Sequence, residues 1–302
     1  ISYMNSGKMT NKGWEFRVDA VPFQNKDWRV GVYFNIAHNE NKITEMPDNY
    51  IEENYTFGNG NYAYRREEGR PMGSFYGYRY KGVYQNKDAT YARDIEGNVM
   101  KDISGNAIVM RNGSYTVAPG DAIYEDVNHD GVINQYDIVY LGNSNPRLTG
   151  GAGLNVSYKQ FKLSAIFYGR YGQDVVNATR LNNESMRGID NQSTAVLRRW
   201  RNEGDQTDIP RALYGEGYNT LGSDRFVEDA SYLRLKSLSF TYRLPKKAIQ
   251  RWGFNNIDVY VTGYNLFTWT NYTGQDPEVK TENTYAKDTA TTPASIQLVA
   301  GF

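Results

Sequence analysis

Apolar and polar residues alternate strictly near the start of the chain. Trp14, Phe16, Val18 and Ala20 are apolar, while Glu15, Arg17 and Asp19 between them are charged. A period of two places the two sets on opposite faces of a β-strand. After a short connection from Pro22 to Asp27, Trp28, Val30, Val32, Phe34 and Ile36 repeat the pattern against Arg29, Gly31, Tyr33 and Asn35, which predicts a hairpin. A second hairpin is predicted from Leu154, Val156 and Tyr158 followed by Phe161, Leu163, Ala165 and Phe167. A third joins Leu238, Phe240, Tyr242 and Leu244 to Ile257, Val259 and Val261. Leu233 and Leu235 have the opposite parity to Leu238, so a bulge is expected near Ser237. Ile296, Leu298, Ala300 and Phe302 give a last strand with an aromatic end.

Connections within these pairs are short. Those between pairs are long, from Asn39 to Arg147, Val176 to Asp224 and Asn271 to Thr292. Short turns at one end and long loops at the other are the layout of an outer-membrane barrel, with the long loops outside the cell. The pattern gives about seven strands, and bacterial single-chain barrels have even numbers, so an incomplete barrel is expected. Sandwiches and soluble barrels also use alternating strands, and periodicity alone leaves them open.

Composition narrows the choice. Twenty-six Tyr and 29 Gly in a chain 39% hydrophobic favour twisted strands and tight turns over packed helices. Lys and Arg number 34, as do Asp and Glu, so no basic field is available to bind nucleic acid. The absence of cysteine removes disulfides, thiolate zinc and cysteine nucleophiles. His38 and His129 sit in no hydrolase motif, and no catalytic residue is assigned. No apolar run approaches the roughly 18 residues of a spanning helix, which does not bear on strands of about 9–11 residues. Ile1-Ser2-Tyr3-Met4 lacks a signal pattern, and an interior start is expected.

One stretch has metal-ligand spacing. Asp126, Asn128, Asp130, the Val132 carbonyl and Asp137 occupy positions one, three, five, seven and twelve of a calcium loop at 126–137, with Gly131 at six and Ile133 at eight. Asp at position twelve resembles the dockerin version and suggests a structural Ca2+ site. A metal-free Asx-turn uses the same residues. Tyr76 and Tyr78, in a Gly-interrupted aromatic run from Phe75 to Tyr84, and Trp269 and Tyr272 are candidate substrate contacts, while girdle or packing roles are the alternative. Ser193 to Arg201 reads as a short amphipathic loop helix with Leu197 and Trp200 on one side.

Several segments together resemble the C-terminal half of SusC/RagA outer-membrane transporters. These are Asn11-Lys12-Gly13-Trp14-Glu15, Tyr78 to Tyr84, Asp126 to Asp137 with Leu141 to Pro146, Ala230 to Lys236, Asn265 to Thr270, and Asp276-Pro277-Glu278. The resemblance implies an all-β chain: residues 1–302 would form the C-terminal part of an antiparallel transmembrane barrel of about 22 strands. A long extracellular insertion would span 39–147, and the plug domain would lie outside the chain. It further implies TonB-dependent import of glycans or oligopeptides across the outer membrane of a Gram-negative bacterium. Its partners would be a SusD-like surface lipoprotein, TonB and outer-membrane lipids. The family usually continues a few residues past a pair like Gly301-Phe302, so the last strand is expected to be cut short. Two alternatives stand beside it: a secreted calcium-stabilised carbohydrate-binding β-sandwich, and a surface glycan hydrolase, for which no carboxylate pair is singled out by spacing.

Overall fold

The computed structural model of the chain describes residues 7–46, 62, 66–215, 217–278, 281–282, 285–286 and 297–301. Seven antiparallel strands form one sheet: β1 (Lys8–Gln24), β2 (Trp28–Glu45), β3 (Leu148–Tyr158), β4 (Phe161–Tyr171), β5 (Tyr232–Arg243), β6 (Asp258–Thr270) and β7 (Gln297–Gly301). Each lies beside its predecessor in that order. All three expected hairpins are present. β2 runs beyond Asn39, where the first long connection was expected to begin. Ile296 and Phe302 lie outside the described residues.

Register turns the alternation into two faces. Phe16, Ile36, Gly150, Gly169, Leu233 and Trp269 form one cross-strand row, and Val18, Phe34, Ala152, Phe167, Leu235 and Phe267 the next. Ala20, Val32, Leu154, Ala165, Leu238, Gly263 and Leu298 continue the same face. Aromatic residues close it at the short-turn end, where the Trp28 and Tyr158 rings lie 4.3 Å apart and those of Phe161 and Tyr242 4.8 Å apart. Trp14, Tyr171 and Trp269 stand at the other end. Trp14, Phe16, Phe34, Phe240 and Val261 are all exposed, so this broad apolar face is not packed on a second layer. The opposite face carries Glu15, Arg17 and Asp19, with hydrogen bonds such as Ser164 Oγ to Asn155 Oδ1 at 2.8 Å.

The bulge falls where the parity change required it. Leu235 pairs with Phe267 and Ser237 with Tyr264, so Lys236 stands opposite Asn265 and Leu266. Asn265 absorbs the distortion in the left-handed region, at φ 52°. Leu233, Leu235 and Leu238 thereby share the apolar face despite their parity.

The long connections have cores of their own. Tyr78, Tyr84, Tyr124, Met110, Val117 and Ile133 are buried with Tyr218 and Leu221, which come from the connection between β4 and β5. The Tyr124 ring lies 5.6 Å from that of Tyr78 and 5.4 Å from that of Tyr218. Burial raises the Tyr84 hydroxyl to a pKa of about 12. A second cluster joins Tyr62 and Phe75 to Val176, Leu181 and Phe226. Many of the tyrosines thus build the loop assembly as well as the strands. Residues 93–108 contain a tandem eight-residue repeat, with Asp94-Ile95-x-Gly97-Asn98 matched by Asp102-Ile103-x-Gly105-Asn106. Each Asp accepts two amide hydrogens of its own turn, from Glu96 and Asn98 or from Ser104 and Asn106, at 2.8–3.0 Å.

The expected loop helix is a 3-10 turn at Thr194–Arg198. Val196 and Trp200 are the residues it buries, while Leu197 is exposed, which corrects the expected pairing of Leu197 with Trp200. Trp200 packs on Gly120, whose φ of 89° and lack of a side chain leave room for the ring.

Candidate functional site

A charged network lies on the polar face, near the end of the sheet that carries the long loops. Arg234 of β5 is fully buried, and its Nη2 donates to Asp276 Oδ1 at 2.5 Å, its Nη1 to Glu278 Oε2 at 2.9 Å and its Nε to Thr268 Oγ1 at 3.0 Å. Arg170 and Lys236 flank Glu278 at 3.9 and 3.8 Å. β-strand parity explains the placement, since Arg234 falls between Leu233 and Leu235 and must point to the other face. The network ties the segment after β6 to the wall. The sequence pattern alone assigns no role to Arg234, Asp276 or Glu278. The usable signal was a lone cation between two apolar residues of a strand.

Two more carboxylates brace the loops, Glu228 between two connections and Glu184 within the connection from β4 to β5. Glu228 accepts from Arg180 Nη1 at 3.2 Å and from the Thr273 amide at 2.8 Å. Buried Glu184 accepts from Arg180 Nε at 3.0 Å and Arg225 Nη2 at 2.8 Å. Buried charges are retained only when paired and hydrogen-bonded in this way. These bonds cross-link the loop assembly at the end of the sheet.

The 126–137 loop is held by its own amides. Asp126 Oδ2 accepts from the Gly131 amide at 2.8 Å, and Asp130 Oδ1 from the Val132 amide at 2.8 Å. The Asp130 amide approaches both Asp126 Oδ1, at 3.2 Å, and Asn128 Oδ1, at 3.3 Å, so the first oxygens of the spacing converge. Asp137 is buried and accepts from Val127 and Asn134 amides, each at 2.8 Å, as part of a capping box. Desolvation raises its pKa, and Asp126 adds to the shift. Among the described residues, no group of three or more Asp, Glu or His side chains is placed to hold a metal.

The structure does not bring the four aromatic candidates together. Tyr76 is buried, with its ring 5.7 Å from that of Tyr140 and its hydroxyl donating to Glu67 at 3.0 Å. Tyr78 is buried in the loop core beside Tyr124, and Tyr272 with Val175 and Ala230. Trp269 is exposed, but its register puts it on the apolar face with Leu233 and beside Phe267. Tyr76, Tyr78 and Tyr272 are thus enclosed by packing contacts, while the Trp269 ring is open.

Comparison with known proteins gives a consistent picture. No family model matches the chain. It is 32% identical over 286 residues to TonB-dependent receptor P3 of Formosa agariphila, covering 92% of this chain and 26% of that protein. It is 28% identical over 285 residues to the TonB-dependent receptor SusC of Bacteroides thetaiotaomicron, covering 91% and 25% respectively. Its fold matches a chain in a structure of the RagAB peptide transporter with a TM-score of 0.71 and 26% identity, over 99% of this chain and 29% of that one. The chain thus spans about a quarter of the length of the curated relatives it matches. These relatives are named as receptors and transporters rather than enzymes.

Proposed function

We propose that this chain, which belongs to the SusC/RagA family of TonB-dependent receptors, supplies part of the barrel wall and outer rim of a nutrient importer in the outer membrane of a Gram-negative bacterium. The observation that carries this reading is the seven-strand sheet with one exposed apolar face, aromatic residues at both of its ends, and a polar reverse. Lipid covers the apolar face, and the polar face lines the lumen. A carbohydrate-binding sandwich would cover the apolar face with a second sheet, and among the described residues that face is exposed.

In the whole protein, TonB drives uptake of oligopeptides or glycans, and a SusD-like surface lipoprotein meets the rim formed by the long connections. No bond chemistry is required of the chain: import needs open and closed states that bind the cargo differently. The test is fractionation of the full-length protein combined with heat-modifiability on a gel. An outer-membrane band that shifts on boiling supports the proposal, and a protein freely soluble without detergent overturns it.

Calcium at 126–137 is part of the same proposal. Asp126, Asn128 and Asp130 with the Val132 carbonyl offer oxygen donors of the right type, and Asp137 closes the loop through its amide bonds. A bound ion would stiffen the loop. Calcium at a hundredfold its Kd is expected to protect the loop from local opening by about 2.7 kcal/mol, read as slower proteolysis within 126–137. Unchanged cleavage in calcium and in chelator would leave a metal-free Asx-turn.

A further inference from the structure

Side chains do not cover the apolar face evenly. A groove of about 550 Å³ is sunk into it at the long-loop end. Gly150 of β3 and Gly169 of β4 lie side by side in one cross-strand row and form its floor. Ile36 of β2 stands beside Gly150 and Leu233 of β5 beside Gly169, with Trp269 of β6 beyond, so a bare strip runs between two walls. In the next row Ala152 continues the floor between Phe34 and Phe167, and Leu154 ends the strip one row further on. A Cβ at position 150 would come within 2.5 Å of the Asn35 carbonyl oxygen, and one at 169 within 2.7 Å of that of Tyr232. The floor therefore cannot be filled without moving the backbone. The groove lies inside the sheet, from β2 to β6, so strands added at either edge do not reach it.

Length and charge point to one occupant. From Leu148 to Ala152 the groove follows β3 for about 13 Å, at about 3.4 Å per residue. The apolar band of a barrel is about 25 Å tall, so the groove matches the depth of one leaflet, and the long connections make it the outer one. The single charged lining residue, Arg170, donates through Nε to Tyr168 Oη at 3.1 Å and falls by strand parity on the polar face. With no charge on the groove's own side, a phosphate head group is not what it selects.

We propose that the groove retains one acyl chain of an outer-leaflet lipid, held by the shape of the strip and independent of the head group. A methylene chain laid on the glycine floor meets protein below and at both walls, whereas one on a flat part of the face meets it on one side, and dispersion contacts add up accordingly. This rests on the reading that lipid covers the apolar face, and assigns one place on that face to a lipid held longer than its neighbours.

The test uses the full-length protein in bilayers doped with phospholipids that carry a photoreactive diazirine in the acyl chain, one with an ethanolamine and one with a glycerol head group. After illumination, labelled residues are mapped by peptide mass spectrometry. Ile36, Leu233 and Trp269 are expected to take severalfold more label than Phe16, which is exposed and shares their row and hence their depth, with either head group. Ala152→Phe, which plugs the strip between Phe34 and Phe167, is expected to bring them down to the level of Phe16. Ala20→Phe, on the same face but outside the groove, is expected to leave the excess unchanged. An unaltered heat shift shows that both variants fold. Labelling no higher than that of Phe16, an excess that survives Ala152→Phe, or an excess with only one head group would each overturn the groove and leave the importer reading standing. No label at Phe16 or in the groove would overturn the reading that lipid covers this face.

Discussion

Replacing Arg234 by Met in the full-length protein is expected to destabilise the barrel by about 3–5 kcal/mol, the usual cost of removing one partner from a buried ion network. The guanidinium is 2% exposed and faces Asp276 and Glu278, so its loss takes the nearest cation from both carboxylates, while Lys236 and Arg170 stand 3.8 and 3.9 Å from Glu278. The segment after β6 would detach from the wall. A lowered denaturant midpoint of the heat-shifted band reads the effect. Neutralising the acids as well, with Asp276→Asn and Glu278→Gln, should recover part of the loss, because no buried charge then lacks a partner. Arg17→Met is the control: the Arg17 bond to Asp19 is exposed, and no measurable change is expected. Equal midpoints for Arg234→Met and Arg17→Met would contradict the network's structural role.

The second large effect separates the two faces. Leu154 sits in the middle cross-strand row of the apolar face, between Val32 and Ala165, while the adjacent Asn155 points the other way. Leu154→Arg is expected to cost about 2–4 kcal/mol, the penalty for a cation at the bilayer midplane of a barrel. Asn155→Arg should cost about 1 kcal/mol or less, since it enters the polar side. Folding into lipid vesicles, followed by gel shift against urea, measures both. Reversed costs would mean that the strand phase is off by one residue.

How much of this was legible in the sequence follows from the range of the interactions. The phase of β1 through β6 was readable because it depends on neighbours two residues apart. The bulge at Lys236 was readable from the parity change between Leu235 and Leu238 for the same reason. The loop core was not. Tyr124 meets Tyr218, and Phe75 meets Phe226, with no periodicity to announce either pairing. Arg234 finds its acids 42 and 44 residues downstream, so its partners could not be chosen by spacing. The aromatic run from Phe75 to Tyr84 left contact and packing roles open because sequence does not distinguish a ring facing cargo from one packed in a loop core. The Asp94 and Asp102 repeat has a period of eight, which belongs to a pair of turns and matches neither a strand nor a helix.

The central claim is that the apolar face meets lipid and the polar face does not. These 302 residues contain no cysteine, so an introduced one is the only thiol within them, and any cysteine elsewhere in the full-length protein is first replaced by serine. We would place spin labels singly at positions 29–36 of β2 in the full-length protein in bilayers and measure collision with oxygen and with a water-soluble nickel complex. The account predicts high oxygen exposure at Val30, Val32, Phe34 and Ile36, low oxygen exposure at Arg29, Gly31, Tyr33 and Asn35, and a period of two along the strand. Uniform exposure to the nickel complex, or alternation in the opposite phase, would contradict it.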